Sequence, residues 1–187
     1  MKKVVMTPNP YRDRNFKYAN QAEKILRDAG IETRICLAFD VDKNFELPAD
    51  VVLHDLSKEL RDADLLICFG GDGTILHASK AATYAKVPIL GVNIGTMGFM
   101  AELESSELDA LARLAGDDYT IEERMMLHVR AEHEGKVVLE EDALNDAVIT
   151  KGAVARIVQM AVSCDGVEIM NFGGDGVNVS TPTGSTA

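Results

Sequence analysis

Tryptophan is absent from this chain of 187 residues, and aromatic side chains make up only 5% of it. Nothing therefore suggests a stacking platform for single-stranded nucleic acid. Basic residues are scarce as well: 19 Lys and Arg stand against 30 Asp and Glu, a net charge of -11, which argues against a polyanionic polymer as partner. If the ligands are small anions, attraction must come locally from backbone amides, a few cationic side chains and a divalent cation. The three cysteines, Cys36, Cys68 and Cys164, lie far apart, two of them inside apolar runs, and no pair has metal-ligand spacing. Buried free thiols in a reducing compartment fit this pattern. No apolar stretch approaches membrane-spanning length, and the start, Met1-Lys2-Lys3-Val4-Val5-Met6, turns polar at Thr7-Pro8-Asn9-Pro10, too soon for a signal peptide. A cytoplasmic protein with no membrane partner is expected. His54, His77, His128 and His133 form no metal-binding spacing. The chain also lacks a GxxxxGK[ST] loop and the dinucleotide-binding glycine fingerprint, which disfavours P-loop kinases and Rossmann dehydrogenases.

The informative stretch is Gly70-Gly71-Asp72-Gly73-Thr74, directly after the apolar run Leu65-Leu66-Ile67-Cys68-Phe69. Glycines at the carboxyl end of a buried strand let the backbone turn sharply and approach a ligand, while successive N–H groups converge on phosphate oxygens. A loop that only cradled phosphate would gain nothing from a carboxylate. Asp72 is better explained as a base for a sugar hydroxyl or as a partner of phosphate-bound metal, and the pattern points to phosphoryl transfer to an alcohol.

Periodicity organises the rest. Val4 to Met6 reads as a strand, Phe16 to Ala29 as a helix capped by Asn15 and closed by Gly30, and Ile31 to Ala38 as a second strand. Leu65 to Phe69, a helix from Thr74 to Ala85 and a strand from Val87 to Asn93 continue the alternation. A parallel sheet flanked by helices follows, with ligands outside the carboxyl ends of the strands. A last helix is expected from Glu104 to Ala115. From Tyr119 the pattern changes to short apolar runs broken by turns, Met126 to Ala131, Lys136 to Glu140, Ala147 to Thr150, Ile157 to Ser163, Val167 to Met170 and Val177 to Ser180. Glu134-Gly135 and Asp165-Gly166 are hairpin-type turns. The expected organisation is an α/β domain over 1–120 and an antiparallel, β-rich domain over 121–187.

Three further segments carry polar chemistry. The loop Gly95-Thr96-Met97-Gly98-Phe99 follows a strand into the same crevice, where Phe99 is either a wall against a nucleotide base or simple core. Leu144-Asn145-Asp146 sets an amide beside a carboxylate, able to hydrogen-bond a ribose diol, although Asn-Asp is also common turn material. Ser180-Thr181-Pro182-Thr183-Gly184-Ser185-Thr186 concentrates hydroxyls able to cap a helix start and bind an anion there.

Taken together, Gly70 to Thr74, Gly95 to Phe99, Glu123-Arg124-Met125-Met126-Leu127, Leu144-Asn145-Asp146 and Asp175-Gly176 leading into Ser180 to Ala187 resemble the NAD kinases, in that family's order. The Gly-Gly-Asp-Gly element is shared with diacylglycerol kinases, sphingosine kinases and phosphofructokinases; the Asn-Asp and Ser-Thr-Pro-Thr-Gly-Ser-Thr-Ala elements narrow the resemblance. It implies a phosphofructokinase-like α/β domain followed by a β domain that is incomplete at its C-terminal end. It implies transfer of the terminal phosphoryl group of ATP, or of polyphosphate, to the 2'-hydroxyl of the adenosine ribose of NAD, with Mg²⁺ or another divalent cation carried on the phosphates and no direct protein ligands to the metal. Asp72 would be the base. Gly71, Gly73 and Thr74 would hold phosphate, Phe99 line the adenine pocket, and Asn145 and Asp146 hold the ribose on the nicotinamide side. Asp175 would approach the nicotinamide end, and Thr183, Ser185, Thr186 and Ala187 would contribute to nucleotide binding, the last two on the adenine side. A homo-oligomer, dimer or tetramer, is also implied. Gly173 occupies a region where the family often has a basic residue, so no phosphate contact is expected there.

Overall fold

Six short strands form one parallel sheet in the order β3-β2-β1-β4-β5-β6. A computed structural model of the chain describes residues 1–42, 45–48, 51–95, 98–152 and 157–186. The strands are β1 (Lys3–Pro8), β2 (Glu32–Cys36), β3 (Leu53–His54), β4 (Leu65–Gly70), β5 (Ile89–Asn93) and β6 (Leu103–Glu104). β4 is buried at every residue, as an apolar run in a parallel sheet covered on both faces must be. Alternate residues serve opposite faces. Val4, Met6, Leu65, Ile67 and Phe69 share a core with Ala19, Ala22 and Leu26 of α1 (Lys17–Asp28) and with Leu108, Leu111 and Leu114 of a 3-10 helix, Leu108–Gly116. On β4 the residues between them, Leu66 and Cys68, have the opposite direction, and a third helix, α3 (Asp72–Ala85), follows a single-turn helix α2 (Leu56–Glu59) and packs on β4 and β5.

Four expectations are corrected here. α1 is not capped by Asn15. Asn15 and Phe16 lie at φ 56° and 52°, where the chain turns to seat the fully buried Phe16 ring, and the Asp13 carboxylate accepts from the amides of Tyr18 and Ala19 at 2.9 Å each. Burial holds the Asp13 carboxyl above its usual range despite those bonds. β1 runs on through Thr7 and Pro8, because the ladder to β2 ends at Met6↔Ile35 and the missing Pro8 N–H is not needed on that side. The segment expected as one helix from Glu104 divides: Leu103–Glu104 is recruited as an edge strand by Val92↔Leu103 pairing, and the helix after it is 3-10. α3 begins at Asp72, two residues before the expected start.

The chain divides into two compact units, Met1–Glu122 and Glu123–Ala187. Among its described residues the second contains three antiparallel strand pairs: β7 (Leu127–His133) with β8 (Lys136–Ala143), β9 (Asp146–Thr150) with β12 (Gly176–Ser180), and β10 (Val158–Cys164) with β11 (Val167–Gly174). Both dipeptide turns take positive φ at each central residue, 49° and 74° at Glu134-Gly135 and 49° and 81° at Asp165-Gly166, the type I′ geometry whose twist matches that of the strands.

Candidate active site

β1 lies between β2 and β4, and the chain leaves it first toward β2 and only later returns to β4 on its other side. The loops at these carboxyl ends therefore diverge, and a crevice opens between them at the topological switch point. It is a cleft of about 440 Å³. Asn9, Tyr11 and Arg12 border it from the loop after β1, and Phe39 and Asp40 from the segment after β2. Gly71, Gly73, Thr74 and His77 close it from the glycine loop and the first turns of α3.

Asn9 ties the two sides together. Its backbone N–H donates to the Phe69 carbonyl at 2.8 Å, and its side-chain amide donates to Thr74 Oγ1 at 3.1 Å. Its Oδ1 accepts from the Tyr11 amide at 3.0 Å. Gly70 is required because a Cβ there would meet the Thr74 Cβ at 2.9 Å. Arg12 lies over the glycine loop, its Nη1 3.2 Å from where a Gly71 Cβ would stand and donating to the Ile94 carbonyl at 3.3 Å.

Asp72 occupies the first turn of α3, where amides without intrahelical acceptors and the helix dipole favour an anion. Its carboxylate turns toward the loop after β5: Oδ2 accepts from the Phe99 amide at 3.0 Å and Oδ1 from the Met100 amide at 3.1 Å. Each oxygen keeps lone-pair capacity. Gly98 is in contact with this carboxylate, and any Cβ there would collide with it. The glycine loop thus lines the cleft with backbone while its carboxylate is aimed at the Phe99 loop. Phe99 is 77% exposed, so it is not core. Thr96 and Met97 lie outside the described residues.

In the second unit Asn145 and Asp146 stand at the start of β9, opposite the end of β12 through Ser180↔Asp146 pairing. The hydroxyl-rich loop folds back on them. The Thr181 amide donates to the Asn145 carbonyl at 2.8 Å, the Thr181 hydroxyl to the Leu144 carbonyl at 2.6 Å, and the Gly184 amide to Thr181 Oγ1 at 3.0 Å. Gly184 abuts the Asn145 carbonyl so closely that no Cβ fits. Asn145 Oδ1 is buried with no hydrogen-bond partner among the described residues. Asp146 accepts from Asn178 Nδ2 at 3.4 Å, Asp175 pairs with Lys151 at 2.6 Å, and Ser185 donates to the Pro182 carbonyl at 2.9 Å. Thr183 lies in the turn before the 3-10 helix Gly184–Thr186, and Ala187 lies outside the described residues.

Sequence reasoning missed Asn9, Arg12 and Phe39 as site residues and noted His77 only as lacking metal-binding spacing. The crevice rule was available: residues after β1 and β2 must border the same opening as those after β4. Among the described residues no group of three or more His, Cys, Asp or Glu could hold a metal. Burial pushes the Cys36 thiol up to about 12 and the Cys68 thiol higher still, so neither is a thiolate near neutral pH.

The sequence model of the family described as the ATP-NAD kinase N-terminal domain matches residues 4–119. An NAD kinase of Bifidobacterium longum subsp. infantis is 47% identical over 186 residues, which cover 98% of this chain and 52% of that protein. An NAD kinase of Acetivibrio thermocellus is 35% identical over 191 residues, covering 100% and 64%, and one of Mycobacterium tuberculosis is 37% identical over 195 residues, covering 98% and 64%. This chain therefore spans less than two thirds of the length of these relatives. Among solved structures, a yeast NADH kinase complexed with NADH superposes with a TM-score of 0.76 at 22% identity, over 100% of this chain and 59% of that one, a likeness of fold. No described helix is long and apolar enough to cross a membrane.

Proposed function

This chain belongs to the NAD kinase family, and on that premise we propose that the protein carrying it transfers the terminal phosphoryl group of ATP or polyphosphate to the 2'-hydroxyl of the adenosine ribose of NAD, forming NADP. The observation that carries this reading is the Asp72 carboxylate, fixed by the Phe99 and Met100 amides at the start of α3 while its neighbours Gly71 and Gly73 line the cleft. The donor phosphates lie on the cleft side of the glycine loop, drawn by its amides and by Arg12. The ribose lies on the side of Asp72 and Phe99. The 2'-oxygen attacks the terminal phosphorus, its proton passes to the Asp72 carboxylate, and the bond to the bridging oxygen breaks to release ADP or the shortened polyphosphate. Such transfer needs mainly positioning and charge neutralisation, with one base adding about 10²- to 10⁴-fold.

The donor set suits a hard cation carried by phosphate oxygens and water rather than by a protein cage; Asp40, bordering the cleft, is the carboxylate able to meet such an ion. When bound, a divalent cation neutralises charge on the transferring phosphates. Asn145, with its unpartnered Oδ1, and Asp146 bind the ribose on the nicotinamide side. Asp175, Thr183, Ser185, Thr186 and Ala187 complete the dinucleotide contacts in this reading, and Phe99 covers the adenine. The protein is cytoplasmic and a homo-oligomer. A coupled assay of NADP formation from ATP, Mg²⁺ and NAD on the full-length chain tests the reaction; saturable turnover that no other alcohol replaces is expected, and its absence would refute the proposal.

A further inference from the structure

Asp72 is aimed by the amides of Phe99 and Met100, and those amides belong to a loop that leaves the sheet at Asn93 and re-enters it at Leu103. Connecting loops move more than the strands they join, so the direction of the carboxylate is only as firm as the two ends of this one. Both ends are tied. The Glu102 amide donates to the Gly91 carbonyl at 3.1 Å, and the Gly91 amide donates to Glu102 Oε2 at 2.7 Å. Two residues further along each segment, Asn93 pairs with Glu104, and its Nδ2 donates to both Glu104 carboxylate oxygens at 3.1 Å each. β6 is only two residues long, so it offers few ladder bonds and the side-chain tie adds to them.

Asn93 is 2% exposed. Val92 and Ile94 belong to the core shared with α1, so Asn93 faces the other side of the sheet with Gly91, where a Cβ would meet Ile75 of α3. Its neighbour on β4 is Gly70, two residues before Asp72. The amide therefore lies at the end of the sheet from which α3 starts. A carboxylate only accepts, so Glu104 holds Nδ2 toward itself and leaves Asn93 Oδ1 buried with no partner among the described residues. A buried acceptor without a partner costs stability, and an apolar side chain would avoid that cost. What the amide supplies instead is a directional tie from β5 to β6.

We propose that Asn93 and Glu104 are positioning residues for the phosphoryl transfer: their hydrogen bonds fix the ends of the loop and, through the Phe99 and Met100 amides, the direction of the Asp72 carboxylate. This rests on the kinase reading and goes further by placing control of the base on two residues outside the substrate contacts assigned above.

Glu104 is exposed, so Glu104→Ala removes the tie without opening the core. In the full-length chain, hydrogen exchange at the Phe99 and Met100 amides should quicken about tenfold or more, since their loop opens locally. In NADP formation from ATP, Mg²⁺ and NAD, kcat should fall about 10- to 100-fold, the range a displaced group costs. Calorimetric affinities for NAD and ATP should stay within about twofold, because the tie touches neither. Glu104→Gln keeps an acceptor for Nδ2 and should return kcat to within about threefold of wild type. The kcat loss should vanish in an Asp72→Asn background, because residues acting through one group are not additive. Unchanged exchange, unchanged kcat, or a loss repeated in full on Asp72→Asn would overturn the proposal. Asn93→Leu removes the same bonds from the other side and decides if Glu104→Ala fails to fold. NADP formation in a chain whose loop exchange is indifferent to Glu104 removes the tie and leaves the kinase reading. Glu104-dependent exchange without NADP formation does the reverse.

Discussion

Two side chains concentrate the chemistry, and each is held by a different device. Asp72 is oriented by two backbone amides. Asp72→Asn should lower kcat about 10²- to 10⁴-fold and leave NAD affinity within a few fold, because a base acts on the transferred proton more than on ground-state binding; steady-state kinetics with calorimetry check this, and near wild-type turnover would remove Asp72 from the role. Gly98 protects that orientation by lacking a Cβ. Its backbone is not in the left-handed region, so Gly98→Ala should act through space alone, displacing the carboxylate and lowering kcat by up to about 10²-fold. A variant with unchanged kcat would mean that the carboxylate relocates freely. Asn145 is the opposite case, a buried oxygen with no partner. Removing such an atom lifts a desolvation penalty from the ligand-free protein and a hydrogen bond from the complex. Asn145→Ala should therefore leave Tm unchanged or slightly raised while weakening NAD by about 1 to 3 kcal/mol. A lowered Tm with unaltered NAD affinity would assign the residue to structure.

At the scale of elements, local signals and long-range pairing compete. The hairpin β7–β8 has the turn its Glu134-Gly135 dipeptide requires, and cross-strand pairing puts His128 opposite Asp142. The imidazole contacts Asp142 at 2.8 Å and Glu140 at 3.2 Å. These bonds, that to Asp142 foremost, raise the His128 pKa above its usual 6.5. A raised folded-state value means that the imidazolium's contribution is fully present below about pH 6.5 and is lost as pH rises through the shifted value. Amide exchange in β7 and β8, corrected for intrinsic pH dependence, should thus show more protection at pH 6 than at pH 8, and His128→Ala should flatten the difference. A profile unchanged by the substitution would discount the pair. The helix elements teach the converse lesson. Asn15 is a strong N-cap residue by type, yet burial of Phe16 moves the capping role to Asp13.

At the scale of the whole molecule the two units differ in how their strands are completed. The first buries a six-stranded sheet under helices on both faces. In the second, the described strands form three separate pairs, and Val148, Ile149, Val167, Ile169 and Val179 are exposed. Two-stranded pairs are marginal by themselves, and exposed strand edges are templates for pairing. Hydrogen exchange on residues 1–187 should find amides of β1, β4 and β5 protected at least about tenfold more than those of β10 and β11, with concentration-dependent association in sedimentation. Comparable protection in both units, in a monodisperse sample, would contradict this.

By itself the sequence determined most of the alternation of strands and helices in residues 1–120, the antiparallel pattern after it, the two hairpin turns and the glycine loop on a strand end. Each is a local matter: apolar period, a glycine-containing turn dipeptide, or an apolar run of five residues followed by glycine. The family resemblance was legible for the same reason, being carried by contiguous motifs. Only the tertiary structure decided that Leu103–Glu104 pairs as an edge strand, that Asp13 rather than Asn15 caps α1, and that Asp72 is aimed by the amides of Phe99 and Met100. It alone brought Asn9, Arg12 and Phe39 to the glycine loop. These residues are distant in the chain, and their meeting follows from strand order, which places the ends of β1, β2 and β4 side by side and which no local period encodes.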